Sequence, residues 1–506
     1  MDFIEKINQI VEPLNQWIVS TNDFLWGSIL IVVLLGVGVY FTIRTKFVQV
    51  RYFKEMLRLL GDRGDKRNKK EKSISSFQAF CVSTAARVGI GNIVGVTIAI
   101  VMGGPGSVFW MWIVAIIGAA SGFIESTLAQ LYKEKAADGT YVGGPAYYMQ
   151  KGLKSRWLGI IFAILITISF GLIFTAVQAN TITMAVDTTF AFDRGTVGII
   201  LAAITGIVIF GGVTRIAKIS EVIVPIMAVA YMAIAIFVIV TNLEAIPTVL
   251  GIIFQNAFGM EQIAGGTLGG VIALGVKRGL FSNEAGMGSA PNVAATAKVS
   301  HPVKQGLIQS LGVFTDTLLI CSATAFMILL PVGGVIDPAG AEGITIVNNI
   351  LVNELGTWAG VFLTICTTFF AFSTIVGCYY YGETNVEFLS KKRVYMTGYR
   401  LVVVGMVLFG AVAELAVVWN LADLFMGLMA LVNLIAIVLL GKYAFKLLKD
   451  YDDQKKAGII DPVFTIASMP ELENVTEWDS YGDDDDDDFQ PNTQVTYRPT
   501  NLAAAE

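Results

Sequence analysis

Charge, histidine and cysteine are all scarce in this chain. Lysine, arginine, aspartate and glutamate make up 15% of its 506 residues, where soluble domains carry about 25%. That shortage excludes an ordinary water-soluble globule. A single histidine, His301, and four scattered cysteines, Cys81, Cys321, Cys366 and Cys378, offer no ligand set for haem, zinc or an iron–sulfur cluster. The cysteines lie in apolar runs and read as small buried side chains. No Gly-x-x-x-x-Gly-Lys-Ser/Thr loop occurs, so ATP-driven pumping by this chain is not expected. The first residues include Asp2 and Glu5 and lack a cleavage pattern, so they do not read as a signal peptide.

Hydrophobic residues account for 55% of the chain, and runs of roughly 20 of them recur along nearly its whole length. This is the pattern of a polytopic, all-helical membrane protein with about eleven spans. Residues 1–24, with Phe3, Ile4, Ile7, Ile10, Val11 and Leu14 at helical spacing, suggest a segment lying on the membrane surface. One extra span is expected at 25–43, followed by a basic linker at 44–76. Ten spans then divide into a first half at 77–242 and a second at 265–447. Five spans per half, an odd number, force the halves to be inverted relative to each other. A polar tail at 450–506 contains the aspartate run Asp483–Asp488 and reads as disordered. The net charge of -5 reflects that tail and says little about partners. Lysine and arginine cluster in every second loop, from Arg44–Lys72 to Lys442–Lys449, while the intervening loops carry Asp187, Glu244, Glu342 and Glu354. The bias predicts an outside N-terminus and a cytoplasmic C-terminus in a cell membrane.

Two spans look broken, and each opens one half. The first holds Arg87-Val88-Gly89-Ile90-Gly91-Asn92 and the second Gly279-Leu280-Phe281-Ser282-Asn283-Glu284. Discontinuous helices at matching places in two halves mark the binding site of a secondary transporter. Freed amides of Gly89, Ile90 and Gly91 would meet a carboxylate at a positive helix end. Freed carbonyls of Ala85 and Val88, with the Asn92 oxygen, suit a small hard cation. Phe281, Ser282 and Asn283 are expected where the second span unwinds, with Gly275 and Gly279 permitting the break, carbonyls accepting an ammonium and Phe281 walling a small side chain. Packing of glycines is the competing reading, and it is preferred for Gly95 and Gly103. Six charges fall inside spans: Arg87, Glu125, Lys277, Arg278, Glu284 and Asp316. Structural or gating pairs are expected among them, with Arg87 or a second-half base against Glu125, and Lys277 and Arg278 against Glu284 or Asp316.

Four blocks in order carry a resemblance: Phe77-Gln78-Ala79-Phe80 with Arg87–Asn92; Gly103-Gly104-Pro105-Gly106 with Phe109-Trp110-Met111-Trp112; Gly139-Thr140-Tyr141-Val142-Gly143-Gly144-Pro145; and Arg278–Pro291. Over roughly 26–449 the chain resembles the alanine or glycine:cation symporter family, whose members resemble LeuT-type transporters. The resemblance implies a ten-helix inverted repeat preceded by one span, and sodium- or proton-coupled uptake of alanine or glycine. It sets Gln178 against the substrate and the hydroxyls of Ser373 and Thr374 beside Ala85 and Val88 in a sodium cage. Neutral oxygens suit sodium; a proton-coupled carrier would more often need a titrating carboxylate in the site. Ile90 departs from the threonine or serine of many members, which is tolerable if only its amide is used. Sodium is thus the expected coupling ion, with no organic cofactor and no nucleic-acid partner. The alternatives are a proton-coupled carrier or exchanger of another small zwitterion, a membrane-embedded enzyme, for which a nucleophile, base or metal set is lacking, and a channel.

Overall fold

A computed structural model describes residues 13, 16–61, 74–136, 139–211, 213–259, 268–337 and 342–478. The expected amphipathic repeat at Phe3–Leu14 and the Asp483–Asp488 run lie outside them. Apart from a hairpin of Glu134–Lys135 with Tyr141–Val142 and an isolated bridge between Ile74 and Ala297, the regular structure of the described residues is helical. Among the described residues, eight helices can cross a bilayer by length and composition, or nine when the bent pair Ser76–Arg87 and Ile90–Gly103 counts as one. Arg194–Ile209 and Leu268–Asn283 coincide with two further expected spans but have only 16 residues each.

Two sets of five segments follow one order. A broken segment comes first in each: Ser76–Arg87 with Ile90–Gly103, and Leu268–Asn283 with Pro291–Ala294. Then come Gly106–Leu131, Arg156–Phe190, Arg194–Ile209 and Val213–Thr241 in one set, and Pro302–Leu329, Thr357–Leu389, Arg393–Val412 and Leu415–Lys456 in the other. The outermost helices show where lipid belongs. On Val213–Thr241, Val222, Ile226, Val229, Ile236 and Val240 are exposed at helical spacing. So large an apolar stripe is stable only against hydrocarbon.

Ahead of the repeats, a helix spans Gln16–Arg44, beginning before the expected start at residue 25. It is fastened to the last helix: Asn22 Nδ2 donates to the Asn420 carbonyl (2.9 Å) and Trp26 Nε1 to that of Asp423 (3.2 Å). The basic linker is also fastened there. In it Arg51 pairs with Asp452 at 2.8 Å, and Lys455 with Glu55 at 2.8 Å.

The reading of 450–506 as disordered is corrected for its first part. The last helix continues to Lys456, and residues up to Trp478 fold back across the end that carries the basic loops. Phe464, Met469, Leu472 and Trp478 are buried. Phe464 N–H donates to Ser300 (2.8 Å), Ser300 Oγ to Pro462 (2.8 Å), and Trp478 Nε1 to Gln130 (3.2 Å). Lys304 pairs with Asp461. A polar composition concealed a few apolar anchors, whose burial works with the hydrogen bonds and the ion pair against the ordering cost of this strap.

His301 sits under the strap as the cap of Pro302–Val313. Its Nδ1 accepts from Val303 N–H (3.2 Å), which leaves Nε2 as the donor to Asp450 (3.1 Å). Burial pushes its pKa below the usual value, against the pull of the Asp450 carboxylate. A ring held neutral when folded but protonated when unfolded stabilises the fold above the unfolded pKa, about 6.5, and less as the pH falls below it. The solubilised protein should therefore unfold at lower temperature as the pH drops from about 7.5 to 5.5. His301→Gln should flatten that part of the profile; an unchanged slope in the variant would exclude His301 as its source.

Candidate functional site

The first break forms because the chain there cannot continue as a helix. Ser76–Arg87 ends, Val88 and Gly89 leave helical angles, and a single tight turn, Ile90–Asn92, restarts the helix 58° away. A Cβ on Gly89 would overlap Thr374 Oγ1 and lie 3.0 Å from Gln178 Oε1, so glycine is what lets two other helices reach this backbone. The freed groups are then taken up. Gly89 N–H donates to Asn92 Oδ1 (2.9 Å) and Ile90 N–H to Gln178 Oε1 (3.2 Å). Thr374 Oγ1 donates to the Ala85 carbonyl at 2.8 Å and also lies 3.4 Å from that of Val88. Ser373, the other expected hydroxyl, donates to Phe370 on its own helix at 2.8 Å.

The second break lies later than expected. Phe281, Ser282 and Asn283 are helical, and the backbone departs at Glu284, whose φ is 60°. Gly286 and Gly288, at φ 84° and 82°, carry the unwound stretch. Gly275 and Gly279 serve packing: a Cβ on the first would lie 2.6 Å from the Ser107 carbonyl oxygen and Trp110 Cβ, and one on the second 2.6 Å from Val114 Cγ1 and 3.3 Å from Met111 Cα. The physical reason is that a glycine pair one turn apart, facing a neighbouring helix, costs less in a continuous helix than exposed backbone would. Asn283 ends the helix by taking Ala285 N–H on its Oδ1 (3.0 Å). As at any helix C-terminus, the last carbonyls lack intrahelical partners, and none of the described backbone N–H groups outside the helix donates to Phe281, Ser282 or Asn283.

Asp316 joins the two breaks. It lies in a π-helical stretch, Phe314–Cys321. Its Oδ1 accepts from Asn92 Nδ2 (2.7 Å), and its Oδ2 from Ser282 Oγ (2.7 Å) and Thr317 Oγ1 (3.0 Å). Asn283 Nδ2 reaches Thr317 Oγ1 at 3.2 Å. The expected pairing of Asp316 with Lys277 or Arg278 is absent; those cations take Asp423 at 3.5 and 2.6 Å. Glu125 is not paired with Arg87. It accepts from the unwound amides of Gly286 (3.2 Å) and Gly288 (3.0 Å) and from Asn433 (2.8 Å). Glu284 accepts from Ser289 (2.6 Å) and Tyr381 (3.3 Å). Among the described residues Arg87 donates once, to the Gln309 carbonyl at 3.2 Å.

Aromatic rings close the site on the side away from the basic loops. Phe281 stacks on Phe174, with centroids 4.4 Å apart, and meets Trp419 in a tilted contact at 4.5 Å. A Cβ on Gly91 would come within 2.9 Å of the Phe281 ring, so the first break touches the last turn of the helix that leads into the second. Arg278 covers Trp419 at 4.6 Å. Gly89, Ile90, Gly91, Gln178, Phe281, Ser282, Thr374 and Asn92 are thus brought together with the Ala85 and Val88 carbonyls, while Ser373 and Asn283 turn to neighbours of their own. Asn180 bonds backbone, at Gly410 (3.0 Å) and Ala413 (2.7 Å). Sequence reasoning noted Asp316 as a buried charge without placing it here, and missed Thr317, Phe174 and Trp419. Only Asp316 carried a signal, a carboxylate in an apolar run.

A model of the sodium:alanine symporter family matches residues 11–466. The probable sodium/glutamine symporter GlnT of Bacillus subtilis is 56% identical over 443 residues, covering 88% of this chain and 91% of that protein. The amino-acid carrier protein AlsT of the same organism is 52% identical over 465 residues, 92% and 98% of the two chains. A sodium/proton-dependent alanine carrier protein of Bacillus sp. (strain PS3) is 39% identical, covering 81% and 95%. Among solved structures, MhsT in complex with L-phenylalanine aligns with a TM-score of 0.55 at 15% identity, over 72% of this chain and 89% of that one. The fold is LeuT-type.

Losing the Asp316 carboxylate leaves Asn92 Nδ2 only the Asp316 carbonyl and Cys321 Sγ, both at 3.3 Å, and Ser282 Oγ only Cys321 Sγ at 3.1 Å, a loss of about 1–3 kcal/mol for each bond to the charged group. Asp316→Ala should speed amide hydrogen exchange through both 88–93 and 282–290, by about tenfold or more for each 1.4 kcal/mol lost. A variant that loosens one stretch and leaves the other at its original rate would show that Asp316 does not tie them.

Proposed function

The chain belongs to the sodium:alanine symporter family, and from that premise we propose that it carries a small neutral amino acid, alanine or glycine, into the cell together with sodium. The carrying observation is the meeting of two broken helices at Gly91 and Phe281, with one carboxylate, Asp316, held by both. Amides of Gly89, Ile90 and Gly91 receive the substrate carboxylate at the positive end of the restarted helix. The end carbonyls of Phe281, Ser282 and Asn283 receive its ammonium, and Gln178 orients the two. Sodium sits among the carbonyls of Ala85 and Val88, the hydroxyls of Thr374 and Ser373, and the Asn92 oxygen. Phe281 is wedged between Phe174 and Trp419, so side chains longer than a methyl group must displace it.

The carrier is a multi-pass membrane protein. In the proposed topology it crosses eleven times, with inverted halves, an outside N-terminus and a cytoplasmic C-terminus. The helices rock around a fixed site to expose it alternately.

Two observations favour variations on this reading. GlnT, named for glutamine, is 56% identical, which makes glutamine the substrate to set against alanine. Asp316 puts a titratable carboxylate between the breaks, which makes the proton the ion to set against sodium.

Proteoliposomes given an inward sodium gradient should concentrate alanine, and replacing sodium by choline should abolish accumulation. Uptake driven equally by a pH gradient alone, and lost in Asp316→Asn, would transfer the coupling to protons. Asn92→Ala and Thr374→Ala should each raise the half-saturating sodium concentration about tenfold, roughly 1.4 kcal/mol, whereas Gln178→Ala should mainly raise the KM for alanine. Equal sodium requirements in all three would contradict the assignment, and glutamine carried as well as alanine would overturn the narrow pocket.

A further inference from the structure

The linker between the first helix and the repeats carries a face that neither water nor hydrocarbon alone can serve. The chain turns sharply after Arg44, with Lys46 and Phe47 at φ 54° and 57°, and continues as the short helices Val48–Arg51 and Phe53–Leu60. Their inner side is buried against the bundle through Val48, Gln49, Met56 and Leu59. Gln49 Nε2 fixes it there by donating to Thr42 Oγ1 (3.0 Å) and to the Ile116 carbonyl (3.2 Å). The outer side is apolar yet uncovered: Phe47, Val50, Phe53 and Leu57 recur at helical spacing and are 43–62% exposed. Phe53 also tilts against Phe314, with centroids 6.4 Å apart. Phe314 lies about 18 Å along the membrane-spanning helix that starts at Pro302, so this side faces the flank of a spanning helix and not bulk water.

Charge decides what covers it. A patch of four large apolar side chains does not rest in water, and with Arg51, Lys54, Glu55 and Arg58 among them so short a segment does not cross a bilayer. The boundary between headgroups and acyl chains satisfies both requirements. Residues 44–72 hold eleven lysines and arginines against four acidic residues. Arg51 and Arg58 are taken by Asp452 (2.8 Å) and Glu55 (2.6 Å). Lys46 and Lys54, both exposed, have no carboxylate partner among the described residues. A second copy of the chain docked face to face would set these lysines against each other, and zwitterionic lipid would leave them without a net counter-charge. We propose that residues 44–60 are a docking surface for anionic phospholipid, with Phe47, Val50, Phe53 and Leu57 at the acyl boundary and Lys46 and Lys54 on headgroup phosphates. The lipid seat also steadies the last helix, whose end this segment holds through Asp452 and Lys455.

A fluorophore on Val50→Cys of the full-length protein in nanodiscs tests the assignment; the four native cysteines are buried and escape labelling. The discs hold equal parts of phosphatidylglycerol and phosphatidylcholine, with bromine on the acyl chains of one or the other. Bromine on either lipid should quench the probe, and bromine on phosphatidylglycerol should quench it more strongly. The local preference for phosphatidylglycerol should fall about fivefold with each lysine replaced, Lys46→Gln and Lys54→Gln, equivalent to roughly 1 kcal/mol apiece, and raised salt should lower it with both lysines present. Both side chains are exposed, so the variants should keep their melting temperature. Equal quenching by the two lipids with both lysines present, or a preference unchanged in the double variant, overturns the anionic-lipid surface. A probe reached by aqueous iodide and by neither lipid places this face in water, and one shielded from all three quenchers places protein over it; either result overturns the proposal too. None of these measurements uses a transported ligand, so the carrier reading stands or falls separately.

Discussion

A helix that comes undone in a membrane has no water to turn to, and the architecture around both breaks follows from that constraint. Each freed group costs several kcal/mol if left unmet. The first break is covered mainly by neutral side chains, Gln178, Asn92 and Thr374, which reach in because Gly89 has no side chain of its own. Amides exposed in the second break are covered by a carboxylate, Glu125, braced by Asn433 from the last helix. The difference matters for motion. Neutral bonds of roughly 0.5–1.5 kcal/mol can be exchanged for a ligand at little cost, whereas bonds to a carboxylate are worth about 1.5–3 kcal/mol. The second break is the better anchored of the two, and the first is the one a bound ion and substrate can reorganise.

Arg87 shows the same economy of charge. It closes the first half-helix, lies close to Glu125, Glu284 and Asp316 in sequence-distant neighbours, and forms an ion pair with none of them. Each carboxylate is instead occupied by hydroxyls and amides. A buried ion pair is costly to break once made. Hydroxyl and amide partners hold the carboxylates in place without committing the arginine, whose half-helix must be free to shift if access alternates.

The first break was legible because its signal is local: two glycines and an asparagine within four residues of an apolar run. The second was misplaced because its glycines at 275 and 279 face a neighbouring helix, and a sequence does not say which way a glycine faces. The break itself depends on Glu284 adopting a positive φ, which its side-chain type does not announce. Asp316 could be recognised as a buried charge, but its partners come from residues 92 and 282, and that juxtaposition is tertiary. Trp419 and Phe174 are aromatic residues among many. The strap after Lys456 was hidden by an acidic composition in which Phe464 and Trp478 are too few to form a pattern.

The proposed carrier reading suggests how an ion and an amino acid would be coupled. In the structure Thr374 Oγ1 donates to the Ala85 carbonyl, and Gln178 Oε1 accepts from Ile90 N–H, so both proposed sites are satisfied from within. A cation at Ala85 and Val88 replaces the first bond and a substrate carboxylate at Ile90 replaces the second. The two bonds are only five residues apart, on either side of Gly89, and a Cβ there would meet both Thr374 and Gln178. Ordering this short stretch for one ligand leaves less to be ordered for the other, so each should bind more tightly when the other is present, and by the same factor. Symport then needs no long-range signal: it requires only that two ligands share one break in one helix.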